Sequence, residues 1–217
     1  MALIDLSHDI YTGMTQVPIL PAVEVSCLFS IAAGKPLNIA QLSLATHAGS
    51  HVDAPYHAFE HGRKIDEIPP DTFVGRGVVV PVQRRGGEAI PAADFENSGV
   101  RVERGDILLV QTGWDAHFTG PEYLSYPYLS EEACRWMVER GVKVVALDCL
   151  SPDMPMAMRP PDFAYPAHRT LLAAEIPIIE NLRNFAAVEG ARFRVIALPL
   201  RVRGGDGGQA RVVAEPL

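Results

Sequence analysis

Cysteine is scarce in this chain of 217 residues: Cys27, Cys134 and Cys149 are the only three, odd in number and without C-x-x-C spacing. That argues against both a disulfide framework and a thiolate metal cluster, and the expectation is that all three are reduced core residues of a cytosolic protein. Long hydrophobic runs are missing as well. The longest apolar stretches, such as residues 77–82, are strand-sized and far too short to span a bilayer. The stretch from Met1 to Asp9 meets two acids early and has neither a basic n-region nor a long apolar segment, so no secretion is expected. Nor is there a basic stripe. The 19 Lys and Arg are scattered among 26 Asp and Glu, and a formal net charge of −7 argues against nucleic acid or an anionic membrane as the main partner. A soluble, cytoplasmic protein is expected.

With 48% hydrophobic residues the chain can bury one large core, and a single domain over residues 1–217 is the simplest organisation. Short, β-branched apolar runs dominate: 3–6, 23–31, 39–45, 77–82, 107–111, 142–147, 176–179 and 193–202. Each is strand length and bounded by Gly, Pro or Asp, and several read as fully buried rather than alternating. Fewer segments read as helix. The best is 131–140, with Ser130 placed to N-cap it and Gly141 to end it; 168–174 and 92–96 are weaker. The fold class is therefore α/β with strands in the majority. Residues 149–166, rich in proline and carrying Met154, Met156 and Met158, form a long connection without periodicity, of the kind used as a lid or an oligomer contact or left solvated. The run Gly204-Gly205-Asp206-Gly207-Gly208 reads as a hairpin turn; no helix with Lys-Ser or Lys-Thr follows it, which discounts a phosphate loop.

Histidine is where the sequence is rich. Four of the seven, His47, His51, His57 and His61, fall within fifteen residues, where an even spread would put roughly half of one. Neutral imidazoles and carboxylates suit zinc, manganese, iron or nickel, and such a run can supply most of a coordination shell from one piece of backbone. His47 and His51 would stack on a helix, but Gly49, Val52 and Pro55 are poor helix interior residues, and Pro55 pushes Ala54 out of the α region. In an extended chain His47, His51, Asp53 and His57, all at odd positions, would also converge. Burying His47, His51 and Asp53 side by side without a ligand would be costly. His61, followed by Gly-Arg-Lys, reads as solvated, and His8 and His117 as ordinary hydrogen-bonded residues.

The order H-A-G-S-H-V-D-A-P-Y-H-A-F at 47–59 closely resembles the H-x-G-T-H-x-D-x-P-x-H motif of the cyclase-like metal hydrolases, the family of bacterial kynurenine formamidase and isatin hydrolase. Ser50 replaces the usual Thr and keeps the hydroxyl. The likeness runs along nearly the whole chain: Ile4-Asp5-Leu6-Ser7, Gln111-Thr112-Gly113-Trp114, Asp148 with Ser151 and Asp153, Ile179-Glu180-Asn181-Leu182 and the closing Gly-Asp-Gly-Gly turn.

The resemblance implies a swivelling β/β/α fold, usually assembled as a homodimer or higher homo-oligomer. It implies that His47, His51 and Asp53 hold a first divalent metal, zinc or manganese. Asp53 could bridge to a second held by His168 and Glu180, giving one or two ions per chain. His57 would then be the general acid or base in hydrolysis of a small amide, formamide or lactam. The alternatives are a non-catalytic metal-binding homologue and a cyclase or lyase on the same site. Where formylkynurenine-hydrolysing members carry an aromatic in a Trp-Pro-Gly-Asp-like stretch, this chain has Gln16-Val17-Pro18-Ile19-Leu20-Pro21, which lacks that stacking surface. Phe59, Trp114 and the methionine loop are then the candidates for an apolar substrate pocket.

Overall fold

The computed structural model describes residues 2–217. In chain order its strands are β1 (Ile4–Asp5), β2 (Glu24–Phe29), β3 (Ile39–Ser43), β4 (His51–Asp53), β5 (Val74–Pro81), β6 (Ala89–Ile90), β7 (Ile107–Gln111), β8 (Tyr128–Leu129), β9 (Val144–Leu147), β10 (Ile178–Glu180), β11 (Phe193–Ile196), β12 (Gly207–Gln209) and β13 (Val213–Pro216). Three α-helices accompany them: α1 (Ala92–Glu96), α2 (Glu131–Arg140) and α3 (Pro166–Ala173). Nine strands form one mixed sheet in the order β1-β13-β11-β5-β7-β9-β10-β4-β12. The centre, β5 to β10, is parallel; both flanks are antiparallel.

Apolar runs that do not alternate are what a sheet covered on both faces requires. Along β7, Leu108 and Val110 pack in one core with Phe95 of α1, Met137 of α2 and Leu171 of α3, while Ile107 and Leu109 pack in a second with Phe73, Leu182 and Phe193. Helix α2 has the ends its sequence specifies: the Ser130 hydroxyl accepts from the Ala133 amide at 3.1 Å, and Gly141 stops the helix in the left-handed region at φ 70°. Such a cap is worth about 1 kcal/mol.

Three expectations need correction. The run 193–202 is a strand only to Ile196, because Pro199 has no amide to donate and the remainder keeps a single bridge, Pro199 to Ala210. Gly207 and Gly208 lie in β12 rather than in a turn, paired with Asp53 and Val52 of β4. Cys134 and Cys149 are buried, but Cys27 is exposed, because β2 and β3 form a separate hairpin that does not join the main sheet.

Candidate functional site

The histidine cluster enters the sheet as β4, three residues long. There the side-chain period of two puts His51 and Asp53 on one face, while Val52 packs into the opposite core. Strand β10 lies beside it with Glu180 opposite His51. Ala54 is extended at φ −92°, ψ 158°, as a residue before proline should be, and the chain then turns through a short 3-10 helix, Pro55–His57, that brings His57 back over the strand. The open alternative is thereby decided in favour of extended geometry for His51 and Asp53. His47 sits in the preceding turn, held by the Gln209 amide, which donates to the carbonyls of Ala45, Thr46 and Ala48. Gly207 is needed there: a Cβ would lie 3.0 Å from the His47 ring and 2.6 Å from the Val52 carbonyl.

Asp53 is fully buried, and its two oxygens face different partners. Oδ1 lies 2.7 Å from His47 Nδ1 and 3.1 Å from His51 Nε2, whereas Oδ2 lies 3.5 Å from His168 Nε2. Glu180 completes the arrangement, 3.3 Å from His168 Nε2 and 3.5 Å from His51 Nε2. One ligand atom each from His47, His51 and Asp53, and from Asp53, His168 and Glu180, lies within 4.8 Å of the others in its set. His51 Nε2, Asp53 Oδ2 and Glu180 Oε1 are buried without a hydrogen-bond partner, which is costly unless a cation satisfies them. The donors are all nitrogen and oxygen, a set that fits a divalent ion of zinc or manganese type.

The surrounding groups fix which nitrogens face inward. His51 Nδ1 lies 2.8 Å from the Gly49 carbonyl, and His168 Nδ1 lies 2.6 Å from Asp153, so in both rings Nε2 points to the centre. Ser50 ties the segment down: its hydroxyl donates to the Asn181 carbonyl and accepts from the His8 amide. Electrostatics favour positive charge. Burial opposes protonation of His47, but Asp53 and Asp206 overcome it and push its pKa up to about 10. His168 is raised in the same sense by Asp153, Asp53 and Glu180 against its burial. Burial would lift Asp53, yet the neighbouring imidazoles hold it well below the usual carboxylate range.

Asp206 is the site residue that sequence reasoning missed. It lies 2.9 Å from His47 Nε2 and 3.7 Å from His57 Nδ1, and it accepts from the Thr46 hydroxyl. Its signal was the carboxylate of the Gly-Asp-Gly-Gly turn, which the family likeness included without giving it a role. The His57 ring is 4.0 Å from that of His47 and 5.4 Å from that of His168, with a side chain 33% exposed to the cavity above the centre.

That cavity is about 590 Å³ and opens over His47, Asp53, His57, His168 and Glu180. Phe59 and Trp114, expected at the substrate, do not line it. Both pack against the helical core instead; the Trp114 indole closes on Gly86, and the Phe59 ring lies under the Arg169 guanidinium. The methionine-bearing loop does contribute, through Ser151, Met156, Arg159 and Tyr165. His61 is exposed, and His8 stacks on Phe118 with ring centroids 3.7 Å apart.

Fold and side chains together define a protein of the metal-dependent hydrolase class. Comparison with known proteins specifies it further. A family model described as a putative cyclase matches residues 4–154. Kynurenine formamidase of Erythrobacter litoralis is 31% identical over 185 residues, spanning 85% of this chain and 80% of that protein. The corresponding protein of Salinibacter ruber is 30% identical over 98% of this chain and 97% of its own. Isatin hydrolase A from Ralstonia solanacearum shares the fold at a TM-score of 0.88 and 22% identity, covering 98% of this chain and 91% of that one. The chain belongs to the cyclase family.

Proposed function

We propose that the protein hydrolyses the C–N bond of a small amide, formamide or lactam, using one or two divalent ions, zinc or manganese, per chain. His47, His51 and Asp53 would hold the first ion, and His168 and Glu180 a second, with Asp53 between them. The observation that carries this is the convergence of three unpartnered buried atoms, on His51, Asp53 and Glu180, beneath an exposed His57. A bound divalent ion supplies a Lewis acid for the carbonyl and lowers the pKa of water from near 16 to about 7.

The chain's own residues supply proton transfer and placement. His57 stands beside the centre outside the two sets that contain Asp53, although it can form a third with His47 and Asp206; left unligated, it would take a proton from the attacking water and return it to the departing nitrogen. Asp206 Oδ2 lies 3.7 Å from His57 Nδ1 and would orient the ring by charge, leaving Nε2 toward the substrate. A histidine left for proton transfer beside the centre favours an enzyme over a metal-binding homologue without activity. Elemental analysis followed by a hydrolysis screen of metal-loaded protein against formamides, cyclic imides and lactams tests the reading; a protein that takes up neither zinc nor manganese overturns it.

Assembly as a homodimer or larger is supported by the β2–β3 hairpin, which leaves Leu28, Phe29, Ile31, Leu37, Ile39 and Leu42 exposed. The free thiols of buried Cys134 and Cys149 support a reducing, cytoplasmic location. Among the described residues no helix is long and apolar enough to cross a membrane.

A further inference from the structure

Beside the two ligand sets that share Asp53 lies a third that does not contain it. His47 presents one ring nitrogen to each side: Nδ1 lies 2.7 Å from Asp53 Oδ1, and Nε2 lies 2.9 Å from Asp206 Oδ2. The same Asp206 oxygen is 3.7 Å from His57 Nδ1. One ligand atom each from His47, His57 and Asp206 lies within 4.8 Å of the others. A tetrahedral zinc ion with bonds of about 2.0–2.1 Å holds its ligand atoms about 3.3 Å apart. The two separations measured from Asp206 fall on either side of that spacing.

The backbone fixes this outer set in advance. Ala54 pins two of its members: its amide donates to the Asp206 carbonyl at 2.9 Å, and its carbonyl accepts from the His57 amide at 2.8 Å. The Thr46 hydroxyl donates to Asp206 Oδ1 at 2.9 Å, which leaves Oδ2 as the oxygen turned to both imidazoles. Donors placed in this way lower the ordering cost of binding an ion. Accessibility separates the outer set from the inner two. The side chains of His51 and Asp53 are 1% exposed and that of Glu180 6%, whereas those of His57 and Asp206 are 33% and 38% exposed. An ion on the outer set can therefore exchange with solution. It also meets one carboxylate, where the buried sets bring two, Asp53 and Glu180.

We propose that His57 and Asp206, with His47 as third ligand through Nε2, form an outer, exchangeable site for a divalent ion of zinc type, and that an ion held there inhibits the enzyme by ligating His57. Ligation of His47 through both nitrogens releases its remaining ring proton to solvent. With Nδ1 on the ion, His57 carries its own proton on Nε2 and has no lone pair there to accept another from the attacking water. The ion site stands on the geometry of these three residues. Its inhibitory effect rests on the hydrolase reading, with His57 as the proton-transfer group.

Calorimetry tests the site without requiring turnover. Zinc-loaded wild type, dialysed to its tightly held ions and then titrated with zinc chloride, should take up one further equivalent per chain. His57→Ala and Asp206→Asn should each lose that equivalent while keeping the tightly held zinc. His61→Ala, which removes an exposed histidine outside the set, should keep it. No further equivalent in wild type overturns the site, as does one that survives His57→Ala or disappears with His61→Ala. In a second arm, the same additions should lower turnover by about 10²- to 10⁴-fold at saturation, the worth of a positioned proton-transfer group. Citrate, by withdrawing the exchangeable ion, should restore the rate, and the residual rate of His57→Ala should not respond to added zinc. Full turnover with the further ion bound overturns the inhibition. No turnover of any substrate, with the His57-dependent equivalent intact, would remove the hydrolase reading and leave the ion site standing.

Discussion

The Asp153 carboxylate holds His168 from two sides: Oδ2 lies 2.6 Å from the ring Nδ1, and the two oxygens accept from the Ala167 and His168 amides at 2.9 and 3.3 Å. One buried side chain thus caps the first turn of α3 and aims the imidazole that the helix carries. Asp153→Asn keeps an acceptor but loses the charge that satisfies both. Zinc affinity, measured by chelator competition, should fall by about 10- to 100-fold, as expected for loss of a carboxylate behind a ligating histidine. An unchanged affinity would mean that His168 is not a ligand.

Asp53 is the group that both halves of the centre share, so its removal should not act on one half alone. Asp53→Ala should lose zinc or manganese altogether and melt at a lower temperature than metal-loaded wild type, since a ligand bound only by the native state stabilises it. Retention of one equivalent of metal per chain would show that the two histidines beside it suffice and that it does not bridge.

Asp148 offers a test of the scaffold beneath the site. Burial pushes its carboxyl up to about 7 from an ordinary value near 3.8, although the Thr112 hydroxyl and the Thr112 and Gly113 amides donate to it and pull the other way. A carboxyl whose folded pKa is raised stabilises the fold fully below the unfolded value and loses that contribution as pH rises through the folded one. Stability to urea should therefore fall between pH 4 and 7 by about 1.4 kcal/mol per unit from this group. Asp148→Asn should remove that slope. Parallel pH profiles for the two proteins would show that the donors, not burial, set its ionisation.

The exposed faces of β2 and β3 give a prediction about assembly. Placing charges there, as in Leu28→Asp with Leu42→Lys, should leave each chain folded while lowering the mass seen by sedimentation, because both side chains are more than half exposed, at 54% and 57%. If wild type already sediments as a monomer, the hairpin is not an oligomer contact.

What could be read from the sequence divides along a physical line. Helix α2 and strand β7 were legible because local signals determine them: a capping serine, a terminating glycine, five consecutive residues buried or nearly so. The convergence of His47, His51 and Asp53 was legible because they are close in the chain. Asp206 was not, since its contacts with Thr46 and His47 span about 160 residues and exist only once β12 pairs with β4. The pocket walls were hardest. Phe59 and Trp114 have the composition of a binding surface, but composition does not say which face of the chain meets the cavity, and both rings found burial against the core.

His57 separates proton transfer from coordination. It lies outside the two sets built on Asp53, though it can form a third with His47 and Asp206; its ring is 4.0 Å from the His47 ring and its Nδ1 is 3.7 Å from Asp206. His57→Ala should therefore keep its metal and its fold, while hydrolysis falls by roughly 10²- to 10⁴-fold, the worth of a positioned proton-transfer group. Asp206→Asn should act in the same direction but more weakly, because it loosens the ring without deleting it, and exogenous imidazole should restore part of the rate to His57→Ala and none to Asp206→Asn. Turnover at the wild-type rate in His57→Ala would end the catalytic assignment, and loss of metal from that variant would make His57 a ligand.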